Sequence, residues 1–544
     1  MHERVAFHPA RDAATTAFAT QSRQDNSRIR PSPSPRVARH FTALARRLIA
    51  GLARAEPSKR TLAGILMAYW AVWTAYGVIA KSSQGIHTDM GEVVAWGFDL
   101  QWGTTKHPPF LPALVRVWFS IFPQTDRAFY LLAIGLAVVG IYFSWLVSGF
   151  LLRGPKRAAV PFLLMLVPFY NVQALRLDHN VVLIPLWAVT TYTFFRAYKT
   201  NSIGWSIITG VAAGTCVLAK YWSFFLLLGL IAAALTDKRR LRFLKSPAPW
   251  IMTAVSFGLV VPHLLWLQAN GFVTFVYARH RLVETWPELI SALSNYTFGA
   301  IAYVIVPLVL LVVLVRPTKA ALWDTLFPPD GDRRFAAVMF WVPLLAAIPF
   351  AIATSTGVNG LWTMSGLSLF GAVLLSSPLV RLRGSSAAAV ALGAMAAGAG
   401  ALLASPLVAA GKHFSGVENY AAYTRQLGPE VSRIWRETTP LPMPYLSSDA
   451  VFANSVAFYT EGHPVPLALF PRTRPWSKTT GEMRKSGIAF ICPVDDRDCV
   501  TMRDGTEINL TVDKRVDVTI VPHWLGIAGR PQTFAIDILT PHRP

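Results

Sequence analysis

The chain has 544 residues, of which 53% are hydrophobic and 15% charged, with 18 Trp, 32 Phe and a mean hydropathy of +0.40. Soluble domains carry roughly 25% charged residues, so an ordinary soluble enzyme, a disordered chain and a secreted disulfide scaffold are excluded. A formal net charge of +22 suggests nucleic acid in a soluble protein, but here the distribution of that charge points to a membrane surface, and no nucleic-acid partner is expected.

Residues 1–60 read as a basic cytoplasmic tail. Positions 1–36 are polar, with the low-complexity run RPSPSPR, and are expected to be disordered. Positions 37–54 place Phe41, Leu44, Leu48, Ile49 and Leu52 on one helical face with arginines opposite, the pattern of an interfacial amphipathic helix. The first apolar segment starts near residue 61, so no short signal peptide is expected. A bilayer crossing takes about 20 apolar residues. Eleven candidate spans follow: 61–80, 128–152, 158–175, 180–198, 203–219, 221–236, 249–268, 290–315, 334–354, 361–380 and 386–410. Pro161, Pro168, Pro185 and Pro307 fall inside them, which membrane helices tolerate.

Lys and Arg set the orientation. With the N-terminus inside, the inward loops hold 16 of them, including the run Lys238, Arg239, Arg240, Arg242 and Lys245, and the outward loops hold 8. The tail adds 12 inside. An odd number of spans then puts the C-terminal part outside. Residues 61–411 are the predicted transmembrane domain. Residues 412–544 change composition: 15 Lys/Arg stand against 14 Asp/Glu, with no further span. A helical pattern near 417–437 precedes short β-like runs at 445–448, 464–470, 488–492, 515–521 and 533–539. The expectation is a mostly α polytopic membrane protein with an extracytoplasmic α/β domain. Cys492 and Cys499 flank CPVDDRDC, a spacing that allows a disulfide outside the cytoplasm; two free thiols are the alternative. Cys216 falls in a span and reads as packing.

The chemistry concentrates on the outward side. Of eleven acids between 57 and 411, seven face outward: Asp89, Glu92, Asp99, Asp126, Asp178, Glu284 and Glu288. Lys106, Arg176, Lys220, Arg279 and Arg281 accompany them, with His87, His107, His179 and His280. Charges against span ends are costly unless paired or hydrated; the competing explanation is a set of unrelated snorkelling ends. The sharpest pattern is HTDMGEVVAWGFDLQWGTTKHPPF, residues 87–110. A helix starting near Asp89 places Asp89, Glu92 and Trp96 on one face, although Asp89 also suits an N-cap. KHPPF then makes a turn that returns Lys106 and His107 to the helix start. Asp89, Glu92 and His107 are the candidate ligands of a divalent metal, but their spacing declares no ligand set, and the cofactor requirement stays open.

This segment resembles the first outward loop of the GT-C membrane glycosyltransferases, in the group that resembles protein mannosyltransferases and aminoarabinose transferases. Asp89 stands at the family's Asp, Trp102-Gly103 at its Trp-Gly, and His107-Pro108-Pro109 at its closing turn; Met90 replaces a second family acid. LRLDHNVVLIPLW, with Asp178, resembles the next outward turn, and LAKYWSFF, with Lys220 and Tyr221, a later one. The likeness covers roughly residues 60–300. It implies transfer of a sugar from a polyprenyl-phosphate donor to a lipid or protein acceptor at the outer face of the bacterial inner membrane, with inversion. Asp89 is then the base and Glu92 its helper. Lys106, His107, Arg176, Asp178, Lys220, Tyr221, Arg279 and Arg281 are the substrate-binding candidates. Two alternatives are a transporter or lipid flippase, and a non-catalytic scaffold. No paired broken-helix repeat supports alternating access.

Overall fold

The computed structural model describes residues 57–279, 281–329, 331–416, 420–468, 485–507 and 512–541, all within one compact unit, Ile49–Pro544. The tail and amphipathic helix predicted for 1–54, and His280, lie outside the described residues.

Nineteen α-helices are described. Those before the sheet are α1 (Lys59–Ala80), α2 (Thr88–Phe98), α3 (Phe110–Ile121), α4 (Asp126–Ser148), α5 (Gly154–Met165), α6 (Leu183–Thr200), α7 (Ile203–Ala219), α8 (Ser223–Thr236), α9 (Arg240–Leu244), α10 (Ala248–Ala269), α11 (Val273–Arg279), α12 (Trp286–Val315), α13 (Lys319–Leu326), α14 (Gly331–Thr354), α15 (Phe370–Leu374), α16 (Gly384–Ser415) and α17 (Thr424–Thr438). Six of them, α1, α4, α10, α12, α14 and α16, are long and apolar enough to cross a membrane.

The other five predicted spans are shorter or broken. Helix α5 stops at Met165 because Pro168 cannot continue it, and 3-10 turns at Pro168–Tyr170 and Ala174–Arg176 carry the chain on. Residues 361–380 become a 3-10 stretch, Gly360–Leu369, before α15. Helix α7 lies close against α10: a Cβ on Gly210 would stand 2.7 Å from the Met252 carbonyl, and one on Gly214 3.0 Å from that of Ser256. Small residues four apart allow such backbone approach between membrane helices.

Local signals start the long helices. Ser58 Oγ accepts from Thr61 N at the head of α1, and Thr125 Oγ1 accepts from Ala128 N at the head of α4. Thr285 and Glu288 form a capping box on α12, which gives Glu288 a structural task.

Three acids outside the C-terminal domain tie loops together through ion pairs. Asp237, nearly fully buried, holds Arg239 and the Tyr198 hydroxyl. Asp332 takes Arg239 and Lys199, and Asp324 takes Arg333. Part of the basic run at 238–245 therefore ties loops together.

The C-terminal region adds β1 (Tyr445–Ser448), α18 (Ala450–Tyr459), β2 (Val465–Ala468), β3 (Ile488–Pro493), α19 (Arg497–Glu507), β4 (Lys514–Ile520), β5 (His523–Trp524), β6 (Ile527–Ala528) and β7 (Gln532–Leu539). Five strands form a mixed sheet, ordered β2-β1-β3-β7-β4, while β5 and β6 make a separate hairpin. Strands β2, β1 and β3 run parallel, and β7 is antiparallel to β3 and β4. Side chains alternate across the sheet. Ala489 and Ile491 of β3 join a core with Leu427, Val431 and Trp435 of α17 and Phe452 and Val456 of α18. Ile488, Phe490 and Cys492 face Cys499 of α19. Cys492 and Cys499 are joined by a disulfide. Each predicted β run coincides with a strand over its described part to within one residue; α18, α19 and the β5–β6 hairpin were not expected.

Candidate active site

The segment between α1 and α4 folds back on itself. His87 caps α2, its Nδ1 accepting from Asp89 N at 3.2 Å. Asp89 is thus in the first turn, where the helix N-terminus favours a carboxylate, and the cap belongs to His87. Burial pulls His87 below its ordinary pKa against the opposing pull of Asp89. The 3.3 Å approach of His87 Nδ1 to Asp89 Oδ2 is therefore a contact with a neutral imidazole. The Asp89 carboxylate stays 44% exposed, open to an incoming group.

One turn on, Glu92 Oε1 accepts from Lys106 Nζ at 2.6 Å. Thr104 makes the return turn: its Oγ1 accepts from Lys106 N and His107 N, and its own N–H donates to the His107 carbonyl. Burial works against the Lys106 charge, but Glu92 outweighs it and raises the lysine's pKa. The expected return of Lys106 to the helix start is thus realised through Glu92.

His107 goes elsewhere. Its ring centroid lies 3.9 Å from that of His179, the planes tilted by 32°, and Trp96 packs edge-on against both. Burial pushes both imidazoles well below the ordinary value, helped in each case by Lys220 and Lys106 nearby. His179 Nε2 is buried without a hydrogen-bond partner among the described residues, although such groups are usually satisfied.

Asp178 closes a turn on Asn180, accepting from its N–H and its Nδ2, each at 2.8 Å. Asn180 Oδ1 in turn accepts from Lys220 Nζ at 2.5 Å. Lys220 ends α7 and lies 5.1 Å over the ring of Trp362. Burial draws its pKa down to about 8, with Asp178 opposing. Asp89 and Arg281 both lie within electrostatic reach of this ammonium, and Arg176 within reach of His87.

Tyr221 turns aside. Its hydroxyl bonds His263 Nε2 at 2.7 Å, and its ring stacks on Phe275. The His263 Nδ1 meets the Trp102 carbonyl, Trp266 Nε1 donates to Gln101, and Thr274 Oγ1 donates to the Thr104 carbonyl. Tyr221 thereby helps fasten the 101–107 loop to α10 and α11. Arg279 is exposed at the end of α11 and forms no ion pair among the described residues.

The structure thus brings Asp89, Glu92, Lys106, His107, Asp178, Lys220 and Arg281 together with Arg176 beside them. Sequence reasoning missed Asn180, Trp362 and the contact between His107 and His179. The Asp-x-Asn spacing of an Asx turn was the available signal for Asn180. Asp89, Glu92 and His107 do not gather as metal ligands, because each has a different neighbour. Among the described residues, no group of three or more His, Cys, Asp or Glu could hold a metal ion.

The C-terminal domain grips this loop. Arg425 donates to the Ser82 and Gln84 carbonyls, each at 2.7 Å, and to Asp126 Oδ2. The Tyr459 hydroxyl accepts from Ile86 N and donates to Asp126 Oδ1, both at 2.8 Å. Gly91 sits against α18 so tightly that a Cβ would stand 3.0 Å from the backbone of Asn454 and Ser455.

A helical bundle with a polar, charged loop cluster at one end, capped by a sheet domain, is a GT-C fold like that of ArnT. The chain superposes on crystal structures of ArnT from Cupriavidus metallidurans. Against the form bound to undecaprenyl phosphate the TM-score is 0.56 at 12% identity, covering 87% of this chain and 98% of that one. Against the apo form the TM-score is 0.54 at 13% identity with the same coverage. The family described as dolichyl-phosphate-mannose-protein mannosyltransferase matches residues 106–266. A curated relative, the lipopolysaccharide core galacturonosyltransferase RgtB of Rhizobium johnstonii, is 26% identical over 223 residues, 40% of this chain and 44% of the relative. The chain therefore spans less than half the length of that relative.

Proposed function

We propose that this protein is an inverting glycosyltransferase that moves a sugar from a polyprenyl phosphate to a hydroxyl of an envelope acceptor, a glycolipid or a protein. The observation that carries the reading is the placement of the open Asp89 carboxylate within electrostatic reach of Lys220 and Lys106. Base and cations are what a single displacement at an anomeric carbon on phosphate requires. Asp89 takes the proton of the acceptor hydroxyl as its oxygen bonds to the sugar carbon. The bond from that carbon to the phosphate oxygen breaks, and the electron pair leaves on the phosphate.

Lys220, Lys106 and Arg281 stabilise that developing charge. A phosphate leaves without a strong general acid, so the neutral His107 and His179 serve as hydrogen-bonding groups for the sugar. Glu92 holds Lys106 in place.

An apolar cavity of about 510 Å³ between α7, α8 and α10 supports a lipid carrier. At one end it is lined by Phe224 and Leu264, beside Tyr221 and His263; at the other it reaches Phe194, Phe243 and Leu244. The Lys/Arg bias and the Cys492–Cys499 disulfide support a bacterial inner-membrane protein with its N-terminus in the cytoplasm and its sheet domain outside.

The testing experiment is Asp89→Asn in purified protein supplied with polyprenyl-phosphate sugars, together with mass spectrometry of envelope glycolipids from a deletion strain. Loss of transfer with unchanged folding supports the base. Full transfer by the variant removes Asp89 from the role.

A further inference from the structure

The β5–β6 hairpin takes no part in the chemistry above. His523 pairs with Ala528 and Trp524 with Ile527, leaving Leu525 and Gly526 as a two-residue loop. Their φ angles are 50° and 81°. Positive φ at both positions is the type I′ geometry, for which Asn-Gly or Asp-Gly is the usual choice. A leucine in the left-handed region is uncommon and strained. Leu525 is also 81% exposed, and Ile527 46%. One exposed leucine needs no explanation, but in water this one is disfavoured by its backbone and by its surface together.

The position of the hairpin supplies the reason. Trp524 Nε1 donates to Ser82 Oγ at 2.9 Å, two residues beyond the end of the membrane helix α1. The Trp524 ring lies 6.2 Å from that of His413, in the last turn of the membrane helix α16. Gly529 approaches the same histidine: a Cβ there would stand 3.0 Å from His413 Cε1. The hairpin is fastened to the C-terminal ends of two membrane helices at once. Phe414, beside His413, is 60% exposed. Lys412 and Arg530, next in sequence to His413 and Gly529, are cations suited to phospholipid headgroups.

We propose that the β5–β6 hairpin is a lipid-contacting foot of the C-terminal domain. Leu525 and Ile527 enter the boundary between headgroups and acyl chains in the adjacent leaflet, and Trp524 sits at the depth that indoles favour. Membrane lipid is the occupant that makes an apolar side chain at the tip of this turn favourable. The inference rests on α1 and α16 crossing the bilayer and is independent of the enzymatic reading.

The test uses the full-length protein in phosphatidylcholine–phosphatidylglycerol proteoliposomes. Leu525→Cys carries an environment-sensitive NBD label. The unsubstituted protein, whose free Cys216 is buried, sets the labelling background. The expected result is blue-shifted emission, quenching by lipid with a doxyl group near the headgroup, and little quenching by aqueous iodide. Emission characteristic of water, quenched by iodide and indifferent to doxyl lipid, overturns the proposal. Ile527→Cys gives the same readout if the first variant folds poorly.

Discussion

Asp89 owes its candidacy to where it stands in a turn of helix: in the first turn, against a neutral histidine, and open to the site. Replacing it with Asn should lower the transfer rate by about 10²–10⁴-fold, the usual range for a general base, with little change in thermal stability; an assay with a polyprenyl-phosphate donor reads this. Lys220 carries the second prediction. Its ammonium is charged below about pH 8 and neutral above it, because burial lowers its pKa. If Lys220 faces the phosphate of the proposed donor, that positive charge is lost as pH rises, and kcat/KM for the donor should fall through pH 8. Lys220→Arg, which stays protonated throughout, should abolish that limb, and Lys220→Ala should cost about 10²–10³-fold. A pH profile of the three proteins decides it. Asp89, Glu92 and Lys106 could be read from the sequence because they share one short segment and a helical spacing. Asn180 and the His107–His179 contact could not, since each depends on which distant loop arrives alongside.

The elements explain how a soluble-looking domain bears on a site it does not form. Arg425 and Tyr459 hold the backbone that leads into α2, and α18 packs along that helix at Gly91. Tyr459→Phe deletes one hydroxyl that serves two partners, Ile86 and Asp126. It should cost about 1–3 kcal/mol of stability and, through the displacement of Asp89, lower kcat by between about 10- and 10²-fold while the donor KM holds. Melting curves in detergent and steady-state kinetics separate the two effects. Gly91→Val should be harsher, since its side chain meets backbone that cannot rotate away; the check is loss of a cooperative melt. The strands, α1, α4 and the long later helices were legible because their periodicity and caps are local. Helix α3 was missed because its 12 residues are too few to register as a span, and α18 was missed because its apolar run, AVFANSVAFY, lacks a polar face. The spans at 180–198, 203–219 and 221–236 match α6, α7 and α8 closely, whereas 158–175 and 361–380 were read as continuous, since hydropathy sees apolar residues and is blind to where Pro168 or the 3-10 stretch ends a helix.

For the molecule, the charge asymmetry predicts two sides. A cysteine placed at Arg436, an exposed position of α17, should react with a membrane-impermeant maleimide in intact cells whose outer membrane has been permeabilised. One at Lys238, between α8 and α9, should react only after the inner membrane is broken. The reverse pattern would invert the proposed topology. Membrane class and a two-part plan followed from composition and hydropathy, whereas the docking of one part on the other did not, because its hydrogen bonds join residues more than 300 positions apart. The stitching of residues 101–104 to His263, Trp266 and Thr274 has a mechanical consequence. Three hydrogen bonds couple those two stretches, so a displacement of either one strains the other.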